Sequence, residues 1–531
     1  MSLPVPVGSA TMAWTRREVL ALVFLLVGPA LILSFRLGDA PATINAEIRC
    51  WKVVSNMTAT GEWIIPYRSG KPALNKPPLF YWAGSAISAL AGGASYATLR
   101  APSVMATLGV LALTFWWGRS IGGAGMGLVA LFLLTLIFRV YSWGREGTFE
   151  MLLTLLTSLA LFTFDRTYVL RRQSLLPLFF LLVLAAFLTK GPPALMIIGV
   201  PIVLFLALSR QSPLPLFCLL VVALSLAKRP LALAIIGLPI LLFLLSRREI
   251  RQVLTVRIGL WSLASAVLGL LWFAVILYRV PGAWQQFFSE AVLPVGMETS
   301  HHTATHYHHG FYFFSRIFVI AAVPSALIPL FLWRAWKTRF WQDAPRLRFC
   351  AWIGWGLLFA FSFFPQKQHH YLLPVLPALA ILLADSVLWV VNKPSEVHWA
   401  WLGVPAIALG IMAIILPAPV AFYFHLVLQT PLAATIAVCA LSVPVGAGII
   451  WLAITRRWLA LAGLTLLMLW PYFAVYFGNM EIVKRQFATG EIEQRKGFDK
   501  AYWTGVKKSY PVLGDIFHRG SRFTRDGQEE P

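Results

Sequence analysis

The stretch 45-NAEIRCWKVVSNMTATGEWIIPYRSGKPALNKPPLFYW-82 lies between two apolar runs of near membrane-spanning length, and it reads neither as a span nor as a solvated loop. Val53, Val54 and Met57 share one face at helical spacing, with Glu47 and Arg49 near the start, which describes a helix lying along a membrane surface. Gly61 to Pro66 and then Ser69-Gly70 break that helix. Lys76-Pro77-Pro78 leads into Phe80, Tyr81 and Trp82. Prolines suit the first turn of a second interfacial helix, and aromatic rings suit headgroup depth. A lysine fixed by proline at that depth can pair with a lipid phosphate or act as a snorkelling anchor.

Outward from this loop the chain is a membrane protein. With 59% hydrophobic and only 12% charged residues, 531 residues do not make an ordinary soluble domain. Apolar runs near the ~20 residues needed to cross a bilayer recur at 18–36, 101–118, 124–142, 149–164, 175–189, 193–209, 216–227, 231–246, 258–278, 311–333, 349–364, 371–392, 399–423, 431–454 and 458–477. Several are short, so the expected fold is all-α and polytopic with about 13–15 spans. The segment 226-LAKRPLALAIIGLPILLFL-244 repeats 188-LTKGPPALMIIGVPIVLFL-206, which describes a tandem duplication adding two packing helices.

A net charge of +23 would point to nucleic acid in a soluble chain, but here the basic residues fall mostly between spans. They are topology signals, and no nucleic-acid partner is expected. Arg16 and Arg17 precede the first span, which lacks a small-x-small cleavage site and reads as a retained helix with a cytoplasmic N-terminus. Counting alternately, the basic turns fall on the cytoplasmic side. Residues 37–100, 143–148, 190–192, 228–230, 279–310 and 365–370 and the segment 478–531 fall on the other face, with nearly all the polar chemistry. Cys218, Cys350 and Cys439 lie in spans and Cys50 stands alone on that face, so no disulfide framework is implied.

The face also receives 301-HHTATHYHHG-310. His302, His306 and His308 are weak metal candidates because the run lacks a motif such as H-E-x-x-H; contact with a phosphate or acceptor, or a solvated loop, are the other readings. No cofactor is required, and a divalent metal is possible but not favoured. No phosphate-binding Gly-x-x-x-x-Gly-Lys-Ser/Thr loop and no dinucleotide fingerprint are present.

The run 61-GEWIIPYRSGKPALNKPPLFYW-82 resembles the first periplasmic loop of the ArnT-like aminoarabinose transferases, GT-C membrane glycosyltransferases related to the protein mannosyltransferases. Arg145 and Glu150 in 144-GREGTFEMLL-153 resemble the family's second-loop acidic motif, Lys190-Gly191-Pro192 its T-K-G-P turn, and 367-KQHHYLLPVLPALA-380 its K-R-x-x-Y-L-L-P element. The likeness reaches about residue 390 and weakens beyond.

The resemblance implies a GT-C fold over 1–477; the segment 478–531, rich in Lys, Arg, Gly and Glu and with too few apolar residues for a large core, reads as a small basic periplasmic tail, disordered at its end. The resemblance also implies an enzyme of the bacterial inner membrane that moves a sugar from a polyprenyl-phosphate donor to a lipid, glycan or protein acceptor, lipid A among them. Such a reaction needs cations for the departing phosphate and a carboxylate for the acceptor. Lys76, Arg49, Arg145, Lys190, Lys367, His370 and Tyr371 are the candidates for binding; Glu47 and Glu150 are those for catalysis. Two positions depart from the family pattern. Ala46 stands where its Asp-Glu pair has Asp, and Asn75 stands where it often has Glu, removing any metal ligand that residue would supply.

Two rival readings remain at this stage. A transporter or flippase also has many spans with scattered prolines, but usually places polar groups at the bilayer midplane rather than at one face. A catalytically inactive lipid-binding homologue is left open by Ala46. Asp385, inside a predicted span, could line a cavity or sit near the cytoplasmic end.

Overall fold

A capping box starts the first membrane helix. Thr15 accepts from the Glu18 N–H while Glu18 accepts from the Thr15 N–H, satisfying donors at the start of α1 (Arg16–Ser34) that would otherwise lack partners. This computed structural model describes residues 14–42, 44–74, 76–207, 256–287, 312–338, 344–362, 367–392, 399–428 and 432–488. The runs expected at 216–227 and 231–246, the second repeat copy, Asn75, the histidine stretch with His302, His306 and His308, and residues 489–531 lie outside the described residues.

The architecture is all-α and that of a multi-pass membrane protein. Among the described residues eight helices are long and apolar enough to cross a membrane, or ten if two bent pairs each make one span. The first loop folds as its residues demand. Helix α2 (Asn45–Thr60) buries Glu47, Cys50, Val53, Val54 and Met57, and ends at Gly61, whose φ of 72° reverses the chain. Ser69 and Gly70, at φ 51° and 77°, turn a two-stranded ribbon of β1 (Tyr67–Arg68) and β2 (Lys71–Pro72). Helix α3 (Leu79–Leu90) then starts at Pro78, and its Phe80 and Tyr81 close a small core with α2, Leu99 and Phe149.

Helix α4 (Tyr96–Thr135) has 40 residues. A straight rod of that length would be about 60 Å, twice a hydrocarbon core. Gly122 and Gly123 break it; Gly123, at φ 83° and ψ −177°, adopts a conformation that suits glycine alone. The limbs fold back so closely that a Cβ on Gly127 would stand 2.5 Å from the Phe115 carbonyl oxygen. The two runs at 101–118 and 124–142 are therefore the arms of a hairpin.

Helix α5 (Phe138–Gly144) meets α6 (Phe149–Phe164) at a bend of 114° between Phe138–Gly144 and Phe149–Val169. Helix α7 (Leu176–Lys190) returns along α6, and α8 (Pro192–Ala207) follows at once, so the start of α6, the end of α7 and the start of α8 share one end of the bundle. Then come α9 (Val256–Arg279), α10 (Ala283–Phe287), α11 (Tyr312–Ala321) and α12 (Ile328–Thr338). The single span expected at 311–333 is broken: Ala322 has φ 45°, Pro324 follows it, and the two parts bend by 113°.

Helix α13 (Pro345–Ser362) is followed by a tight 3₁₀ turn, His369–Val375, that feeds α14 (Leu376–Asn392), and α14 is buried against α4 along most of its length. The remaining helices are α15 (Ala400–Ile415), α16 (Pro417–Leu428), α17 (Leu432–Ile454) and α18 (Trp458–Ala488). The expected boundary at 477 falls inside α18. The apolar run ends there, but the helix continues through Glu481, which is buried.

The far end of the bundle carries its own ion pairs. The Arg346 Nε donates to both oxygens of Asp165 at 2.9 and 3.0 Å, and its Nη2 donates to the Ser120 hydroxyl at 2.7 Å. Asp385 pairs with Arg334, one of the basic residues that the charge pattern assigns to the cytoplasmic side. Glu150 and Asp165 thus mark opposite ends of α6, about 22 Å apart at 1.5 Å per residue.

Candidate active site

Glu150 sits in the first turn of α6 and Lys190 is the last residue of α7, so two antiparallel helices bring them face to face. Lys190 Nζ donates to Glu150 Oε2 at 2.6 Å, with both side chains 11% exposed. Each charge also suits its own helix end, a carboxylate at an N-terminus and an ammonium at a C-terminus. Gly191, at φ 72°, lets the chain turn immediately into Pro192-Pro193.

The 3₁₀ turn supplies the third side of the group. His370 Nε2 lies 3.6 Å from Glu150 Oε1, and the His370 ring is 4.7 Å from that of Tyr371 and 5.0 Å from that of Trp143. Lys190 Nζ lies 5.4 Å from the centre of the Tyr371 ring, within cation–π range. Lys367, just ahead of this turn, is buried, and burial holds its amine below the ordinary lysine range.

Lys76 arrives from the first loop, with Pro77 beside Gly191: a Cβ on that glycine would be 3.9 Å from Pro77 Cγ. Burial, and then the charge of Lys190, pulls the Lys76 amine below the lysine range, with Glu150 opposing. Arg49 is exposed on α2 and adds to that repulsion. The neighbouring Cys50 is buried, and burial followed by the charge of Glu150 pushes its thiol up, so it is an inert packing group. Lys190 and His370 therefore flank the Glu150 carboxylate in the field of Lys76, with Arg49 acting on Lys76, and an anion entering beside the two lysines would relieve the excess of positive charge.

Glu47 and Arg145 belong to a second group. Glu47, 1% exposed, accepts from Arg100 Nε at 2.8 Å and Nη2 at 3.3 Å, and from the Gly147 N–H at 2.8 Å. Arg100 also donates to the carbonyls of Leu37, Ala40 and Pro41. Arg145 Nη1 donates to the last carbonyls of α1, those of Ile32 and Leu33, at 2.8 and 3.0 Å. Glu481 lies between the two guanidinium groups, 3.3 Å from Arg100 and 3.8 Å from Arg145.

Sequence reading named neither Arg100 nor Glu481. The available signal was an ionisable residue at each edge of an apolar run, which is a weak one. Among the described residues no cluster of three or more His, Cys, Asp or Glu could hold a metal ion.

Comparison with known proteins agrees with the resemblance. Residues 75–231 match the family model for dolichyl-phosphate-mannose-protein mannosyltransferase. The undecaprenyl phosphate-alpha-4-amino-4-deoxy-L-arabinose arabinosyl transferase of Aeromonas hydrophila is 25% identical over 402 residues, covering 73% of this chain. The enzyme of that name from Aeromonas salmonicida is 26% identical over 404 residues, 72% of this chain. The chain spans 63% and 64% of the length of these two relatives. Among solved structures, ArnT from Cupriavidus metallidurans superposes with a TM-score of 0.65 at 18% identity, in the apo state over 90% of this chain and 80% of that one. The same protein bound to undecaprenyl phosphate superposes equally well, over 89% and 80%.

Proposed function

We propose, for a chain that resembles the ArnT-like GT-C glycosyltransferases in sequence and has their fold, that it transfers a sugar from a polyprenyl-phosphate carrier to an acceptor at the periplasmic face of the bacterial inner membrane. The observation that carries this reading is the meeting of Glu150 with Lys190 and His370, in the field of Lys76, at one end of a helix bundle. The match to relatives named for undecaprenyl-phosphate aminoarabinose transfer, and to an ArnT structure with undecaprenyl phosphate bound, supports a lipid-phosphate donor. A pentose such as aminoarabinose is the donor sugar favoured, and lipid A the acceptor.

In this reaction an acceptor oxygen attacks the anomeric carbon, the bond from that carbon to the phosphate oxygen breaks, and the polyprenyl phosphate leaves with the electron pair. Charge grows on the leaving phosphate, so fixed cations stabilise the transition state more than the ground state. Lys76 and Lys190 serve that role, with Arg49 and Lys367 extending the positive field. Glu150 orients the acceptor and, where the acceptor is a hydroxyl, receives its proton. Tyr371 and His370 shape the wall against which the sugar lies. Glu47 and Arg145, held within their own buried group, hold structure rather than substrate. No cofactor is needed by this route.

Purified protein in lipid, offered a panel of polyprenyl-phosphate sugars, tests the reading. Transfer by the wild type that falls sharply in Lys76→Ala and Glu150→Gln is the expected result. Movement of the carrier across the bilayer without cleavage of the sugar–phosphate bond would replace the enzyme by a transporter.

A further inference from the structure

Two guanidinium groups lie buried together behind the Glu150 turn: Arg100 is fully buried and Arg145 is 4% exposed. Like charges in such a place raise each other's cost, so each needs an anion. Glu47 answers Arg100 with two hydrogen bonds. Arg145 leans on the carbonyls of α1 through Nη1, while its Nε and Nη2 make no hydrogen bond among the described residues. The carboxylate that reaches it is Glu481, whose Oε1 is 3.8 Å from Arg145 Nη2 and also accepts from the part-exposed Lys484 Nζ at 3.2 Å, and whose Oε2 is 3.3 Å from Arg100 Nη1. Glu481 is 2% exposed and comes from the last helix, beyond the part of the sequence that carries the resemblance.

The turn between α5 and α6 is tied to this group at Arg145 and Gly147, and to α4 at Thr148. Arg145 begins it, Gly147 donates its N–H to Glu47, and the Thr148 carbonyl accepts from the Ser103 hydroxyl at 3.1 Å. Gly147 is packed closely on α4, where a Cβ would stand 2.5 Å from Leu99 Cγ. Glu150 follows two residues after Thr148.

We propose that Glu481 is a positioning residue: by neutralising Arg100 and Arg145 together it fixes the 145–148 turn, and through the turn it holds the Glu150 carboxylate in register with Lys190 and Lys76. This rests on the reading of Glu150 as the working carboxylate. The last helix is then part of the site through Glu481, which acts on the Glu150 carboxylate by way of the turn.

The test uses the full-length protein in lipid, with transfer kinetics for Glu481→Gln, for the double variant Glu481→Gln/Arg145→Gln, and for Lys76→Ala and Glu150→Gln in parallel. Glu481→Gln keeps the shape and removes the charge. Its kcat is expected to fall by up to about 100-fold, the scale of a misplacement near 1 Å, while the KM for donor changes little. The double variant removes the unpaired cation as well and is expected to recover most of the lost turnover. Wild-type kcat in Glu481→Gln, or a double variant no better than the single, overturns the proposal. If Glu481→Gln does not accumulate as folded protein, the double decides: folded, active protein supports the positioning role and its absence overturns it. Should Lys76→Ala and Glu150→Gln leave transfer untouched, the functional reading itself falls; should they lower it while Glu481→Gln does not, only the positioning role falls.

Discussion

Lys190 Nζ lies 2.6 Å from Glu150 Oε2, joining the end of α7 to the start of α6 at the edge of the membrane domain. Removing either partner leaves the other charge poorly compensated in a half-buried place, so the two substitutions are not independent. Glu150→Gln and Lys190→Met are each expected to lower kcat by about 10²–10⁴, the range for a positioned acid–base group. The double variant should lose far less than the product of the two. A double-mutant cycle on sugar transfer checks this, and strict additivity would separate the two side chains functionally.

The lowered pKa of Lys76 has a direction that kinetics can read. Its charged form holds phosphate, and burial and Lys190 make that form harder to keep. As pH rises, donor affinity should therefore fall at a pH below that of an ordinary lysine. Bound phosphate raises the amine's pKa again, so binding on the alkaline side takes up a proton. Lys76→Arg should flatten the fall, because a guanidinium stays charged throughout. A pH profile of donor KM that is identical in wild type and Lys76→Arg would remove the amine from donor binding.

Much of this was legible because each signal was local. The apolar face of α2, Gly61 at its end, and the prolines before α3 lie within forty residues, and the structure has the helices they require. Lys76, Glu150, Lys190 and His370 each stood in a short motif, and helix ends brought them together. The buried ion group was not legible. Arg100 pairs with Glu47 across 53 positions and with Glu481 across 381, and no periodicity records such a pairing. Composition also cannot tell a cation aimed at a phosphate from one aimed at the carbonyls of a helix end, which is where Arg145 points. The break at Ala322 was hidden because an apolar run continues through it.

The hairpin in α4 gives a prediction about stability alone. A Cβ on Gly127 would press on the Phe115 carbonyl at 2.5 Å, whereas one on Gly125 meets open space. Gly127→Ala is expected to cost about 1–3 kcal/mol, as overpacking does. Gly125→Ala should be neutral or slightly stabilising, since alanine prefers a helix. Thermal unfolding in detergent, with both variants side by side, checks it; equal midpoints would mean that the two limbs do not pack through Gly127.

Position 46 supplies the last prediction. Ala46 is one residue from Glu47 and so points about 100° away from it around α2, while Arg49 and Cys50, three and four residues on, share its side of the helix. Arg49 acts on the charge of Lys76, and Cys50 feels that of Glu150, so this side faces the candidate site. A carboxylate placed at 46 would pair with Arg49 and add negative charge where the donor phosphate has to enter. If Glu150 is the working carboxylate, Ala46→Asp should raise the KM for donor while kcat stays within about threefold, an effect near 0.6 kcal/mol. A tenfold or greater gain in kcat would instead assign the acid to position 46 and make alanine there the mark of a weakened enzyme. Measuring both constants separates the outcomes, because added repulsion acts on binding and a restored acid acts on the chemical step.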